Sequence, residues 1–117
     1  MTDLEITKLC AKAMGLREIP YRAGQPHAPH PESALRMAEG RKATHWYDPL
    51  HDDSQMAALV KKLFIEILVD GPAGRSEDWT WTARIGGYNE LPISISHGHD
   101  LNRAVCVCVA RLAKEAK

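Results

Sequence analysis

Aromatic rings and net charge are both scarce in this 117-residue chain. Its three cysteines, Cys10, Cys106 and Cys108, are odd in number and form no CxxC pair. That supports neither a disulfide framework nor a zinc knuckle, and it points to reduced, buried thiols. Lysine plus arginine and aspartate plus glutamate number 15 each. A broad basic face for neutralising nucleic-acid phosphates is therefore not expected. The longest apolar stretches, 63–69 (broken by Glu66) and 104–110, fall far short of the ~20 residues a membrane span needs. The start "MTDLEITKLC" lacks the basic end and apolar run of a secretory signal, so a cytoplasmic protein is expected. "DGPAGR" lacks the GK[ST] of a phosphate-binding loop and reads as a turn.

The length suits one domain, 1–117, able to bury a core without metal or disulfide. Thr2 and Glu5 are spaced as a capping box. Ile6, Leu9, Cys10 and Ala13 then form a helical stripe that Gly15 ends. Pro20, Pro26, Pro29 and Pro31 make a loop or insertion of about 17–45, with a helical turn or two expected over 33–39. Trp46 and Tyr47 are expected to dock on the core. Asp52 or Asp53 caps a second helix whose face is Met56, Leu59, Val60 and Leu63, with Lys61 and Lys62 in its last turn.

Two strands follow. Ile65, Ile67 and Val69 share one face, and Trp79, Trp81, Ala83 and Ile85 share another. The turn-rich segment between them makes an antiparallel hairpin the simplest pairing. "ELPISIS" is a possible third strand, with Pro92 at its start or edge. "DLNRAVCVCVARLAKEAK" reads as a helix capped by Asp100. A strand is the rival reading for its β-branched centre, but the flanks favour a largely buried helix. The fold class is α+β, an α/β/α-type sandwich with a small antiparallel sheet, a hairpin plus a possible third strand, covered by helices.

The stretches "CAKAMGL", "YDPLHDDSQMAALVKKL", "WTWTA" and "RAVCVCVARL" give the chain a resemblance to the phage ABA-sandwich domain family of small tailed-phage and prophage proteins. Leu16 departs from the aromatic usual after the glycine, and the His97/His99 pair lies outside the family pattern. The shared motifs are packing and capping signals. The resemblance implies an accessory role in phage or prophage biology, acting in the host bacterial cytoplasm, and it carries over no catalytic residues.

Among chemical motifs, "SHGHD" shares two histidines and an aspartate with the HxHxDH zinc loop of metallo-β-lactamase-like hydrolases. The third histidine is missing, and too little chain follows for the other ligands. A polar loop before a helix is the plainer reading. "HDD" at 51–53 is read as helix capping rather than as a phosphohydrolase pair. Cys106 and Cys108 lack an activating neighbour and are not taken as nucleophiles. Trp79 and Trp81 are assigned to the core rather than to base stacking.

The charges are segregated. Arg17, Arg22, Arg36, Arg41 and Lys42, with His27 and His30, make 17–42 basic, and 48–53 is acidic. Such a pattern suits docking to a partner or an anionic ligand. The leading expectation is a non-enzymatic accessory protein, without cofactor or metal, that binds a host protein or sequesters an immune signalling nucleotide. Arg22, His27, His30, Arg36, Arg41, Lys42, His45 and Trp46 are the expected ligand contacts, with His97, His99 and Arg103 as a second edge. The alternatives are a structural or assembly component and a metal-dependent hydrolase centred on His97 and His99. A homo-oligomer formed through a sheet edge or the last helix suits either binding class.

Overall fold

The computed structural model describes residues 1–18, 28–38, 45–86 and 94–115. Three helices and two small antiparallel sheets make an α+β fold. Helix α1 (Asp3–Met14) starts where the Thr2 hydroxyl accepts from the Glu5 amide at 3.2 Å, and it ends at Gly15 with φ 73°. Helix α2 (Asp53–Leu63) is capped by the Asp52 carboxylate, which accepts from the Gln55 amide at 3.0 Å. Helix α3 (Leu101–Glu115) starts at Asp100, whose carboxylate accepts from the Arg103 amide. The apolar centre of α3 is helical, as its flanks indicate. Ala104, Val105, Cys106, Cys108, Val109 and Ala110 are all buried there.

The first sheet has the order β1 (Arg17–Glu18), β2 (Leu35–Ala38), β3 (His45–Tyr47). The sequence reading misassigned β2 as helical turns. Leu, Arg, Met and Ala are all good helix formers, but pairing with β3 overrides that preference. The register sets Leu35 opposite Tyr47, both buried, and Arg36 opposite Trp46.

The second sheet has the order β4 (Glu66–Asp70), β5 (Thr80–Ile85), β6 (Ser94–Gly98). It is the expected hairpin with its third strand. Ile67, Ala83 and Ser96 align across the inward face, which α3 covers. The outward rows carry Glu66, Arg84 and Ile95, then Leu68, Thr82 and His97. Arg84 forks onto the Glu66 carboxylate with two 2.8 Å bonds. Helix α1 packs on α3, and one hydrophobic cluster runs from Ile6 and Cys10 through Leu59 and Tyr47 to Ala83, Val105 and Val109.

Trp81 packs partly buried on this core. Trp79 instead closes the β4–β5 connector after a 3-10 turn (Ser76–Asp78), its indole N–H donating to the Pro72 carbonyl at 2.8 Å. It packs close against Gly71. A Cβ there would come within 2.5 Å of Trp79 Cδ1 and 2.9 Å of its Cα. Gly71→Ala is expected to cost about 1–3 kcal/mol in urea unfolding. Gly98→Ala, with nothing within 4 Å of the added carbon, serves as the comparison. Equal stability of the two variants would contradict this packing.

Candidate ligand-binding site

The chain between β3 and α2 turns tightly at 48–51, with the amides of His51 and Asp52 donating to the Asp48 carbonyl at 3.0 and 2.9 Å. Gln55, in the first turn of α2, clamps that turn to the strand. Its amide nitrogen donates to the Trp46 carbonyl at 2.9 Å, and its oxygen accepts from the Asp48 amide at 2.6 Å. Across from it, the turn at 30–34 is held by the Ser33 and Ala34 amides, which donate to the His30 carbonyl. Between the two turns lies a pocket of about 200 Å³, lined by Pro29, His30, Ala34, Trp46, Asp48, His51, Asp52 and Gln55. Ordinary ligand sites enclose roughly 300–1,000 Å³. This one holds a single ring or an ion-sized group rather than a whole nucleotide.

Asp48 is the electrostatic centre of the pocket and is buried. Its Oδ2 accepts from the Ser33 hydroxyl at 2.9 Å and from His51 Nδ1 at 2.8 Å. A carboxylate cannot donate, so Nδ1 of His51 carries a proton, and in the neutral ring Nε2 holds the lone pair. Asp48 Oδ1 is buried with no hydrogen-bond partner among the described residues. A buried carboxylate is costly unless its oxygens are satisfied, so this atom marks a place for a donor or a cation. The His30 ring stacks on His51, with centroids 3.8 Å apart and planes 11° from parallel.

The trio does not form a nucleophilic site. Ser33 Oγ lies 3.1 Å from His51 Nδ1, the nitrogen already protonated toward Asp48, and Ser33 is fully buried. A serine nucleophile needs the opposite imidazole nitrogen and access to substrate. The three thiols are free and buried. Cys10 donates to the Cys106 carbonyl and Cys108 to the Ser94 carbonyl. The neighbouring Cys10 thiol, and burial after it, push Cys106 far up, and burial raises Cys108. Neither is poised as a thiolate.

Of the residues nominated from sequence, His30 and Trp46 line the pocket. Arg36 stands beside it, its guanidinium carbon 5.4 Å from the centre of the Trp46 ring, as the cross-strand register dictates. Arg22, His27, Arg41 and Lys42 lie outside the described residues, as does the side chain of His45. The expected second edge does not join the pocket. His97 shares a 2.9 Å hydrogen bond with the Thr82 hydroxyl on the outward sheet face. His99 Nδ1 donates to the Trp79 carbonyl at 2.9 Å, and Arg103 pairs with Asp3 at 2.8 Å. Among the described residues, no third metal-ligating side chain stands with His97 and His99. The described residues therefore supply only these two histidines toward the ligand set of a hydrolase centred on that pair. Asn102 links α3 to the pocket region, donating to the Pro49 carbonyl and to Asp53.

Sequence reading missed Ser33, Asp48, His51 and Gln55. "HDD" was read as capping, which holds for Asp52 alone. The signal available was a buried-type serine and a histidine flanking "YDP", and nothing in their spacing tied them together. Comparison with protein-family models, with curated proteins and with solved structures finds no match for this chain.

Proposed function

We propose that the chain is a non-enzymatic binding protein that captures a nucleotide-like ligand, in the phage or prophage setting that the sequence resemblance implies. The observation behind this reading is the Arg36–Trp46 pair at the rim of the pocket. An indole lining the pocket can stack on a base, and a guanidinium beside it offers charge to a phosphate. The pocket itself fits one ring. Asp48 Oδ1, buried and without a partner among the described residues, would accept from an amino group on the edge of adenine, guanine or cytosine. The phosphates would then lie outside the pocket, on the Arg36 side. Sequestering an immune signalling nucleotide is the version of this function that suits counter-defence.

Isothermal titration with a panel of linear and cyclic nucleotides tests the reading. Binding is expected for at least one amino-bearing base, and Trp46→Ala should weaken it by roughly 10- to 100-fold, the worth of one stacked base. Unchanged affinity in Trp46→Ala and Arg36→Ala, or no binding to the parent, would sink it.

A self-associating assembly component is the second reading. It is favoured by β4, an edge strand of its sheet, where Leu68 and Val69 are about half exposed close to a nine-tenths exposed Phe64. A dimer in ultracentrifugation that carries no small molecule would favour it.

A further inference from the structure

We propose that His51, His30 and Glu32 form a binding site for a divalent transition cation such as zinc, with Asp48 as its positioning residue. One ligand atom from each of the three side chains lies within 4.8 Å of the others. Two imidazoles and a carboxylate are a donor set that zinc accepts at about 2.0–2.2 Å, leaving a fourth position for an exogenous oxygen.

Proximity alone would be weak support, because exposed histidines and glutamates cluster without consequence. The support lies behind the ligands. His51 is fixed from the rear: Asp48 accepts from its Nδ1–H at 2.8 Å, and Ser33 donates to the same carboxylate oxygen at 2.9 Å. A neutral histidine that donates one N–H to a buried carboxylate presents the other nitrogen as a lone pair of set direction. Asp48 also keeps a buried oxygen without a partner among the described residues, which a nearby cation would help to satisfy.

The two remaining ligands sit on the 30–34 turn. The His30 side chain is 46% exposed and that of Glu32 is 61% exposed, with His30 Nδ1 3.6 Å from Glu32 Oε1. Stacked rings aim their in-plane lone pairs side by side rather than at one point. Binding therefore requires the exposed His30 ring to turn, while the pinned His51 ring stays. The site is one fixed ligand plus two adjustable ones on a turn whose backbone is already tied down.

The test uses the full chain with zinc and cobalt chlorides alone, so its outcome is independent of any nucleotide. Calorimetry should give one zinc per chain. Cobalt should show the visible absorption of a four-coordinate ion. His51→Ala and Glu32→Gln should each abolish that absorption. Glu32 is exposed, so its amide variant keeps the fold even if His51→Ala does not. Asp48→Asn should weaken zinc by roughly 10- to 100-fold while keeping the stoichiometry. The double variant His97→Ala/His99→Ala should bind as the parent does. No stoichiometric zinc, unchanged binding in Glu32→Gln, or loss of binding in the His97/His99 variant would each overturn the proposal.

Discussion

Raising the pH from 8 to 11 is expected to lower the folding stability of this chain by at least about 4 kcal/mol. The groups responsible are Cys106 and Tyr47, both buried in the core. In the unfolded chain they ionise at ordinary values of 9.0 and 10.0. In the fold, the Cys10 thiol and burial keep Cys106 neutral through this window. Burial, with the two nearby thiols, does the same for Tyr47. A folded-state pKa raised above the unfolded one gives stability that is complete below the unfolded value and is lost as pH climbs past it. Each group then contributes about 1.4 kcal/mol for every pH unit above its unfolded pKa. Cys108, also raised by burial, adds to the loss in the same direction. Urea unfolding at pH 8, 9, 10 and 11 reads this directly. Stability that stays flat to pH 11 would mean that these side chains meet water.

Leu59→Ala costs about 3 kcal/mol, a lowering of the melting temperature by roughly 10 °C. Leu59 is fully buried in the cluster that joins α2 to the rest of the core. Removing its branched end leaves a void that packed helices refill only in part. A domain of this kind has a total stability of about 5–15 kcal/mol, so the loss is large. Because α2 carries Gln55, which clamps the Trp46–Asp48 segment, the same substitution should loosen the pocket before the chain unfolds globally. Leu68→Ala is the contrast. Leu68 is 46% exposed on the outward sheet face and should change stability by less than about 0.5 kcal/mol. Equal effects from the two leucines would contradict the assigned core.

What the residues disclosed and what they hid follow one physical line. Local signals were legible. Thr2, Gly15, Asp52 and Asp100 each act within a few residues of the helix end they set, and the alternation of Trp81, Ala83 and Ile85 is a property of one strand. The pairing of the first sheet was not. The strand Leu35–Ala38 exists because β3 lies beside it, and its own residues prefer helix. The pocket is the same case. His30 and Trp46 were nominated for their chemistry. Ser33, Asp48 and His51 matter only because two turns face each other, and that juxtaposition leaves no mark in spacing. "SHGHD" shows the reverse error, since a conspicuous motif resolves into two separate hydrogen bonds, to Thr82 and to the Trp79 carbonyl.

The most direct measurement is native mass spectrometry of the chain purified without chelator from a bacterial host, beside two double variants. If the pocket between the two turns is the functional site, the parent retains extra small-molecule or metal mass. His97→Ala/His99→Ala then retains the same mass, and Trp46→Ala/His51→Ala retains none. Mass that is lost with His97 and His99 but kept without Trp46 and His51 would contradict the assignment and return the site to the start of α3.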